Sequence, residues 1–272
     1  MTPLPRARAG YSDCNGPRMT VHHIGTRSAG EAAACGDFAE HLEINRYRSA
    51  LVVGDIAGRG AAVGQAARAL QAYVRSSLLG NVPLSASLRA CDDFFTRSIL
   101  RDDVPFATLF IAETDVGSFR YASAGHEPAL LFGDNGRHRH LDPTGPILGL
   151  RAMAPDSTFG ERTLALRCTE LLVIVTDGVT EARHREGEDL VLFGSTGVVR
   201  AVRDARFNGQ DAAHAIHRAA LSHANGALRD DASVVVTSVG GIGYTRAPAA
   251  TMRRYREAAS HVHHAAAASC SG

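Results

Sequence analysis

Two apolar runs that each end in an aspartate constrain the fold of this chain most strongly. Residues 51–54 lead into Asp55, and residues 171–176 lead into Asp177. Short runs of this kind, bounded by glycine, are typical of buried strands. Acids that buried strands bring face to face are costly unless a cation neutralises them. We therefore predict that Asp55 and Asp177 share a metal centre.

The composition narrows the class of protein. A chain of 272 residues with 45% hydrophobic and 21% charged residues is typical of a globular protein. The net charge of +1 predicts no general attraction to nucleic acid or to an anionic membrane. No apolar run approaches the roughly 18 residues of a membrane span, and the N-terminus lacks a signal-peptide core. We therefore expect a cytoplasmic protein with neither nucleic acid nor membrane as a partner.

The reactive side chains exclude several mechanisms. All 29 basic residues are arginine, which excludes a lysine nucleophile or Schiff base. The five cysteines are far apart and odd in number, with no Cys-x-x-Cys pair. This spacing predicts neither a disulfide framework nor a zinc site.

The chain divides into three parts by composition. Residues 1–20 are rich in proline, glycine and arginine and are expected to form a flexible leader. Residues 21–240 carry the periodic patterns of a folded body. Residues 241–272 are rich in alanine and histidine and are expected to be a disordered tail, whose clustered histidines we interpret as incidental composition.

Within the folded body, the patterns predict antiparallel strands and helices in pairs. Two consecutive helices follow the Asp55 strand, which excludes a simple βαβ repeat, and a hairpin signal follows them. The fold class is therefore α+β, built in layers. The predicted helices are 61–79, 85–100 and 211–224, the predicted strands are 21–25, 106–112, 119–126, 129–132, 137–141, 161–166, 170–176 and 231–237, and residues 183–197 are a predicted surface flap.

Four acidic positions stand at the ends of predicted strands: Asp37, Asp55, Asp177 and the pair Asp230 and Asp231. Oxygen ligands alone select hard cations such as Mg²⁺ or Mn²⁺. Two such ions about 3.5–4 Å apart activate water and neutralise a phosphoryl group. A single aspartate before glycine is more often a turn residue or helix cap, so the prediction depends on the four together.

Six short motifs, in order between about residues 35 and 238, carry a family resemblance. They are Cys35-Gly36-Asp37-Phe38, Gly-Asp-Ile-Ala-Gly-Arg-Gly at 54–60, Phe-Ala-Thr-Leu-Phe at 106–110, Tyr-Ala-Ser-Ala-Gly-His-Glu-Pro at 121–128, Thr-Asp-Gly-Val-Thr-Glu-Ala at 176–182 and Asp-Asp-Ala-Ser at 230–233. With these motifs the chain resembles the metal-dependent serine/threonine protein phosphatases related to protein phosphatase 2C. Within them it is most similar to the bacterial stage II sporulation protein E branch.

The resemblance implies a fold and a site. The fold would be a four-layer α/β/β/α sandwich, with two antiparallel sheets flanked by helix pairs. One edge would hold two Mn²⁺ or Mg²⁺ ions, with a third as an option. The metal ligands and catalytic acids would be Asp37, Asp55, Asp177 and Asp230, together with the backbone carbonyl of Ile56. A metal-bridging hydroxide would attack phosphorus in line, with no phospho-enzyme and no cysteine nucleophile.

Two positions depart from the family pattern. Glu40 stands where an aspartate is common, and Arg59 stands where a histidine is common. Glu40, Arg59 and Asp231 are candidates to support the ligands or contact the substrate. Arg59 could hold a substrate phosphate or pair with a nearby acid, and we favour the ion pair. His126 is expected to fix a loop by hydrogen bonding and not to bind metal.

The function we predict is hydrolysis of phosphoserine or phosphothreonine on a regulatory protein, such as an anti-sigma-factor antagonist. Only about 30 residues precede the first motif, so we expect a stand-alone catalytic domain that is a monomer or a homodimer. One alternative is a non-catalytic pseudophosphatase that binds a phosphoprotein, which only the changes at Glu40 and Arg59 support. Another is a two-metal nuclease or small-molecule phosphatase, and the absence of a basic patch disfavours the nuclease.

Overall fold

A computed structural model describes residues 18–26, 35–58, 60–115, 118–133, 136–150, 153, 156–165, 170–206 and 208–240. The predicted tail at 241–272 and residues 1–17 of the predicted leader lie outside the described residues, so these two predictions remain predictions. The first strand begins at Arg18, three residues before the boundary expected from composition.

The described residues form strands and helices with the following bounds. The strands are β1 (Arg18–Thr26), β2 (Phe38–Asn45), β3 (Arg48–Ile56), β4 (Ala107–Asp115), β5 (Ser118–Ala124), β6 (Ala129–Phe132), β7 (His138–Leu141), β8 (Arg162–Leu164), β9 (Leu171–Val175), β10 (Arg183–Glu186), β11 (Asp189–Leu192) and β12 (Ala232–Gly240). The helices are α1 (Ala61–Leu79), α2 (Leu84–Ser98), α3 (Asp177–Thr180), α4 (Gly194–Asp204) and α5 (Gly209–His223).

Two five-stranded sheets form the centre of the fold. The first has the strand order β2-β3-β4-β5-β8, and the second has the order β1-β12-β9-β6-β7. Every pairing in both sheets is antiparallel. The two acid-bearing strands, β3 and β9, therefore belong to different sheets, and each lies inside its sheet with a neighbour on both sides.

Three buried clusters show the order of the layers. One cluster joins α1 and α2 to the outer face of the first sheet and includes Leu70, Phe95 and Val52. A second lies between the sheets and includes Leu51 and Ile174. A third joins α4 and α5 to the outer face of the second sheet. The four-layer α/β/β/α sandwich is therefore confirmed, with helix pairs on both outer faces.

The sequence reasoning missed two helices, the four-residue α3 and the longer α4. The segment at 183–197 was predicted to be a polar flap, but only the hairpin β10–β11 fits that description, and α4 begins at Gly194. Two glycines and three valines in α4 have low helix propensity. Burial of Val198 and Val202 against the second sheet outweighs that preference. Among the described residues, no helix has the length and apolar character needed to cross a bilayer.

Candidate metal centre

Asp55 lies near the end of β3. It is the only residue of this strand that is not fully buried. Leu51 and Val53 pack in the core between the sheets. Because side chains alternate along a strand, Asp55 points to the same face, at the end of the inter-sheet core. The apolar run therefore delivers one carboxylate to the edge of the sandwich.

Thr176 joins the end of β9 to the segment before β2. Its hydroxyl donates a hydrogen bond to Asp37 Oδ2 at 2.7 Å and accepts one from Ser233 N at 2.8 Å. Asp177, the next residue, begins the short helix α3. The dipeptide Thr176-Asp177 at the end of β9 thus positions two acids. Asp177 belongs to it, and the Thr176 hydroxyl holds Asp37.

The segment before β12 closes the site. Asp231 Oδ2 accepts a hydrogen bond from Gly36 N at 3.0 Å, and Asp230 Oδ1 accepts one from Asp231 N at 2.8 Å. A Cβ placed on Gly178 would lie 1.9 Å from the carbonyl oxygen of Asp231. Only glycine permits this approach of the two backbones.

Five acids meet at this edge of the sandwich, and we call them the acid centre: Asp37, Asp55, Asp177, Asp230 and Asp231. Burial, and after it the charges of Asp37, Asp177 and Asp230, raise the pKa of Asp55 to about 9. Burial also raises the pKa of Asp37 to about 7 and that of Asp177 to about 6. Ionisation of these aspartates is therefore unfavourable without a cation, as is typical of a metal site.

The donor set fits a hard divalent cation. Asp37 Oδ1 is buried and has no hydrogen-bond partner within the described part of the chain. No three Asp, Glu, His or Cys side chains among the described residues already converge at ligating distances. Mg²⁺ keeps several of its waters and takes only one or two carboxylates from the protein, so an open set of oxygen donors suits it. The unpartnered Asp37 oxygen and the raised pKa values are the observations that support this fit.

Comparison with known proteins assigns the chain to a family. The family described as Stage II sporulation protein E (SpoIIE) matches residues 45–240, which is more than half of the chain. The chain belongs to the SpoIIE family. The match includes the Asp55 and Asp177 segments and begins after Asp37.

Individual relatives match over shorter spans. The chain is 33% identical over 133 residues to Protein IcfG of Synechocystis sp., covering 48% of this chain and 20% of that protein. It is 24% identical over 174 residues to phosphoserine phosphatase RsbU of Bacillus subtilis, covering 63% of this chain and 50% of RsbU. This SpoIIE-family chain therefore spans half the length of these curated relatives or less.

A solved structure shows the same fold. The phosphatase domain of SpoIIE from Bacillus subtilis, solved with a fragment of its regulatory domain, matches with a TM-score of 0.69. The match covers 84% of this chain and 66% of that chain at 15% identity. At this identity the likeness establishes the fold alone.

The remaining candidate site residues in the described part of the chain differ in their position relative to the acid centre. The carbonyl of Ile56 faces Gly36, because a Cβ on Gly36 would lie 2.6 Å from that oxygen. Glu40 pairs with Arg75 and accepts a hydrogen bond from Gln71 at 3.2 Å, so helix α1 holds it on the outer face of the first sheet. Arg59 lies outside the described residues. Its pairing with a nearby acid, and the alternative contact with a substrate phosphate, therefore remain predictions.

His126 and Cys35 lie near the acid centre, and neither is charged at neutral pH. His126 Nδ1 shares a hydrogen bond of 2.8 Å with Thr108 Oγ1, the contact expected of a loop-fixing histidine. Thr108 is the cross-strand partner of Asp55. Burial lowers the pKa of His126 to about 4 and raises that of Cys35 to about 12. At neutral pH the imidazole is uncharged and the thiol is protonated.

Sequence reasoning missed several residues that shape the site. Thr176 was noted only as part of a motif, although it directly holds Asp37. Its position between an apolar run and an acid was the available signal. Glu127 and Glu181 were not singled out, yet their charges help to raise the pKa of Asp177. Glu181 lies four residues after Asp177, across the short helix α3, so its spacing was an available signal. Glu127 is brought to Asp177 only by the fold, and no local pattern indicates it.

Proposed function

We propose that this SpoIIE-family chain is a metal-dependent phosphatase that hydrolyses phosphoserine or phosphothreonine on a regulatory protein. The observation that carries the proposal is the acid centre, in which carboxylates from both sheets meet with raised pKa values. A binding module would have no reason to keep several mutually repelling acids, since each costs stability.

The proposal assigns the candidate ligands to the metal ions. Asp37, Asp55, Asp177 and Asp230 would hold two Mn²⁺ or Mg²⁺ ions, together with the Ile56 carbonyl. When bound, such ions lower the pKa of coordinated water and neutralise charge on a phosphoryl group.

The supporting residues orient these ligands. Thr176 orients Asp37 by donating to Oδ2, and Oδ1, which has no partner by hydrogen-bond geometry among the described residues, would face a cation. Asp231 accepts from Gly36 and so fixes the backbone beside Asp37. Oriented ligands of this kind raise the affinity and precision of a metal site.

The substrate class follows from the relatives and is part of the proposal. RsbU is named a phosphoserine phosphatase. We propose a phosphorylated regulatory protein, such as an anti-sigma-factor antagonist, as the substrate of this chain. Support for a protein substrate comes from the exposure of Asp230 in the described part of the chain, which suits contact with a bulky phosphoprotein.

The test is hydrolysis of an aryl phosphate and of a phosphoserine peptide by the purified full chain. Parallel reactions contain EDTA, Mg²⁺ or Mn²⁺, and calorimetry measures metal binding independently. The proposal requires turnover that depends on a divalent metal and that EDTA abolishes. Metal binding without turnover of either substrate would refute an enzyme and favour the pseudophosphatase. Turnover that persists in EDTA would refute the metal assignment.

A further inference from the structure

A cavity of about 310 Å³ lies next to the acid centre and takes no part in holding the proposed ions. Its walls come from the segment before β6, from α3, from the end of β11 and from the start of α4. The side chains that matter for its chemistry are Glu127, Leu130, His140, Glu181, Leu192 and Val198. Because α3 begins with Asp177, the cavity and the acid centre share one structural element.

The cavity combines an apolar interior with acids. Leu130 and Val198 are buried in the core cluster of the second sheet and form the apolar part of the wall. Leu192 also lines the cavity although it is 50% exposed, so apolar surface continues toward solvent. An apolar wall of this kind gains free energy when an aliphatic chain covers it.

Two glutamates supply the negative charge. Glu127 is half-buried, and burial together with the charge of Glu181 raises its pKa. The Glu181 side chain is 60% exposed, and its Oε2 lies 3.7 Å from Arg183 Nη1. An ion pair this exposed contributes little, so Arg183 does not neutralise the cavity strongly. A cation placed between the two glutamates would relieve their repulsion.

A basic side chain is complementary to both the apolar wall and the negative charge of the cavity. Arginine and lysine bury an aliphatic stem against apolar surface and keep a charged head near polar partners. The head would form a charge-assisted hydrogen bond with a glutamate. An acidic or phosphorylated side chain would meet repulsion at the same place.

We propose that this cavity receives an arginine or lysine side chain of the phosphoprotein, close in sequence to the phosphorylated residue. The inference rests on the proposed phosphatase function and deepens it, because it names a feature of the substrate. The cavity is then a specificity site, in which Glu127 and Glu181 select substrates with a basic residue near the phosphate.

The experiment compares phosphoserine peptides that differ at one residue, which is arginine or alanine. The arginine is moved through the positions on both sides of the phosphoserine, and Mn²⁺-loaded full chain is the enzyme. The readout is the ratio of kcat/KM for the arginine peptide to kcat/KM for the alanine peptide. A change in basal turnover affects both peptides equally and cancels in this ratio.

At the best position we expect a ratio of about fivefold to tenfold, smaller than for a fully buried charge-assisted contact because Glu181 is exposed. Glu181→Gln should bring the ratio close to one, and Glu181→Arg should invert the preference toward a peptide with glutamate at that position. Glu186→Gln is the matched control, since it removes the same charge from an exposed site on β10, outside the cavity. It should keep the wild-type ratio.

A ratio near one at every position, or an unchanged ratio in Glu181→Gln, would overturn the proposal. Fluorescence anisotropy with labelled peptides gives the same comparison as a ratio of Kd values, without turnover. Absence of hydrolysis with the Kd preference intact would refute the phosphatase and support the cavity assignment. Metal-dependent hydrolysis with equal Kd and equal kcat/KM would support the phosphatase and refute the cavity assignment.

Discussion

Replacing Asp55 with asparagine should remove a pH-dependent loss of stability from the metal-free protein. In the folded chain the pKa of Asp55 is raised to about 9, mainly by burial and then by neighbouring charges. In the unfolded chain an aspartate titrates near about 3.9. The folded state therefore binds a proton that the unfolded state releases, and stability falls as pH rises between these two values.

The size of the effect follows from the proton count. Between about pH 7 and pH 8, Asp177, whose pKa is about 6, is largely ionised, and Asp37, whose pKa is about 7, loses most of its remaining proton. Asp55, whose pKa is about 9, keeps its proton and dominates the difference. One extra proton in the folded state gives a slope of about 1.4 kcal/mol lost per pH unit. For a domain of this size, that loss lowers Tm by roughly 3–6 °C.

Other titrating groups contribute little in this window. Burial lowers the pKa of His126 to about 4, so the folded state holds it neutral, and an unfolded histidine is only about one-quarter protonated at about pH 7. Half-buried Cys35 and buried Cys91, whose pKa values are raised to about 12, begin to oppose folding only as unfolded thiols ionise at about pH 8.5. Both contributions are shared by wild type and variant and cancel in the comparison.

The assay is urea unfolding in EDTA at about pH 7 and about pH 8, followed by circular dichroism. Wild type should lose about 1.4 kcal/mol across the interval, Asp55→Asn should lose much less, and saturating Mn²⁺ should flatten the wild-type slope. Asp189→Asn, at an exposed position on β11, is the matched control and should behave like wild type. Equal slopes in wild type and Asp55→Asn would show that Asp55 carries no native-state proton and would refute the electrostatic reasoning.

Three further substitutions test the acid centre. Asp177→Asn should lower metal-dependent turnover by at least about a hundredfold, measured as kcat/KM with an aryl phosphate, and wild-type activity would contradict its role as a ligand. Thr176→Val removes the donor to Asp37 and should weaken Mn²⁺ binding by about 10–100-fold in calorimetry, whereas Thr176→Ser keeps the hydroxyl and should bind normally. Gly178→Ala puts a Cβ 1.9 Å from the carbonyl of Asp231 and should cost about 1–3 kcal/mol in urea unfolding, so an unchanged midpoint would contradict the close packing.

Much of the fold could be predicted because its signals are local. The helix at 61–79 was predicted at the bounds that the structure has, since its apolar stripe follows the 3.6-residue period. The strands of Asp55 and Asp177 were predicted from run length and flanking glycine. Helix α4 was missed because its glycines and valines oppose helix locally, and only burial against the second sheet makes it helical.

The candidate site could be predicted in part. The acids themselves stand out because each interrupts an apolar pattern at the end of a strand. The position of Glu40 on the outer face of its sheet was not foreseen, although strand alternation places it on the same side as Phe38, which faces α1 and α2. Its partners Arg75 and Gln71 come from a helix 31 to 35 residues away, so local spacing could not identify them.

The amino-acid sequence alone determined the layered α+β class, the strands that end in acids and the choice of oxygen ligands, because these depend on patterns within a few residues. Only the tertiary structure decided which charges face one another. Sheet pairing and the Thr176–Asp37 hydrogen bond, which spans 139 residues, bring both sheets to one edge. The same folding places Glu127 beside Glu181 in a shared cavity. Electrostatic energy depends on distance and burial, and both are properties of the folded chain.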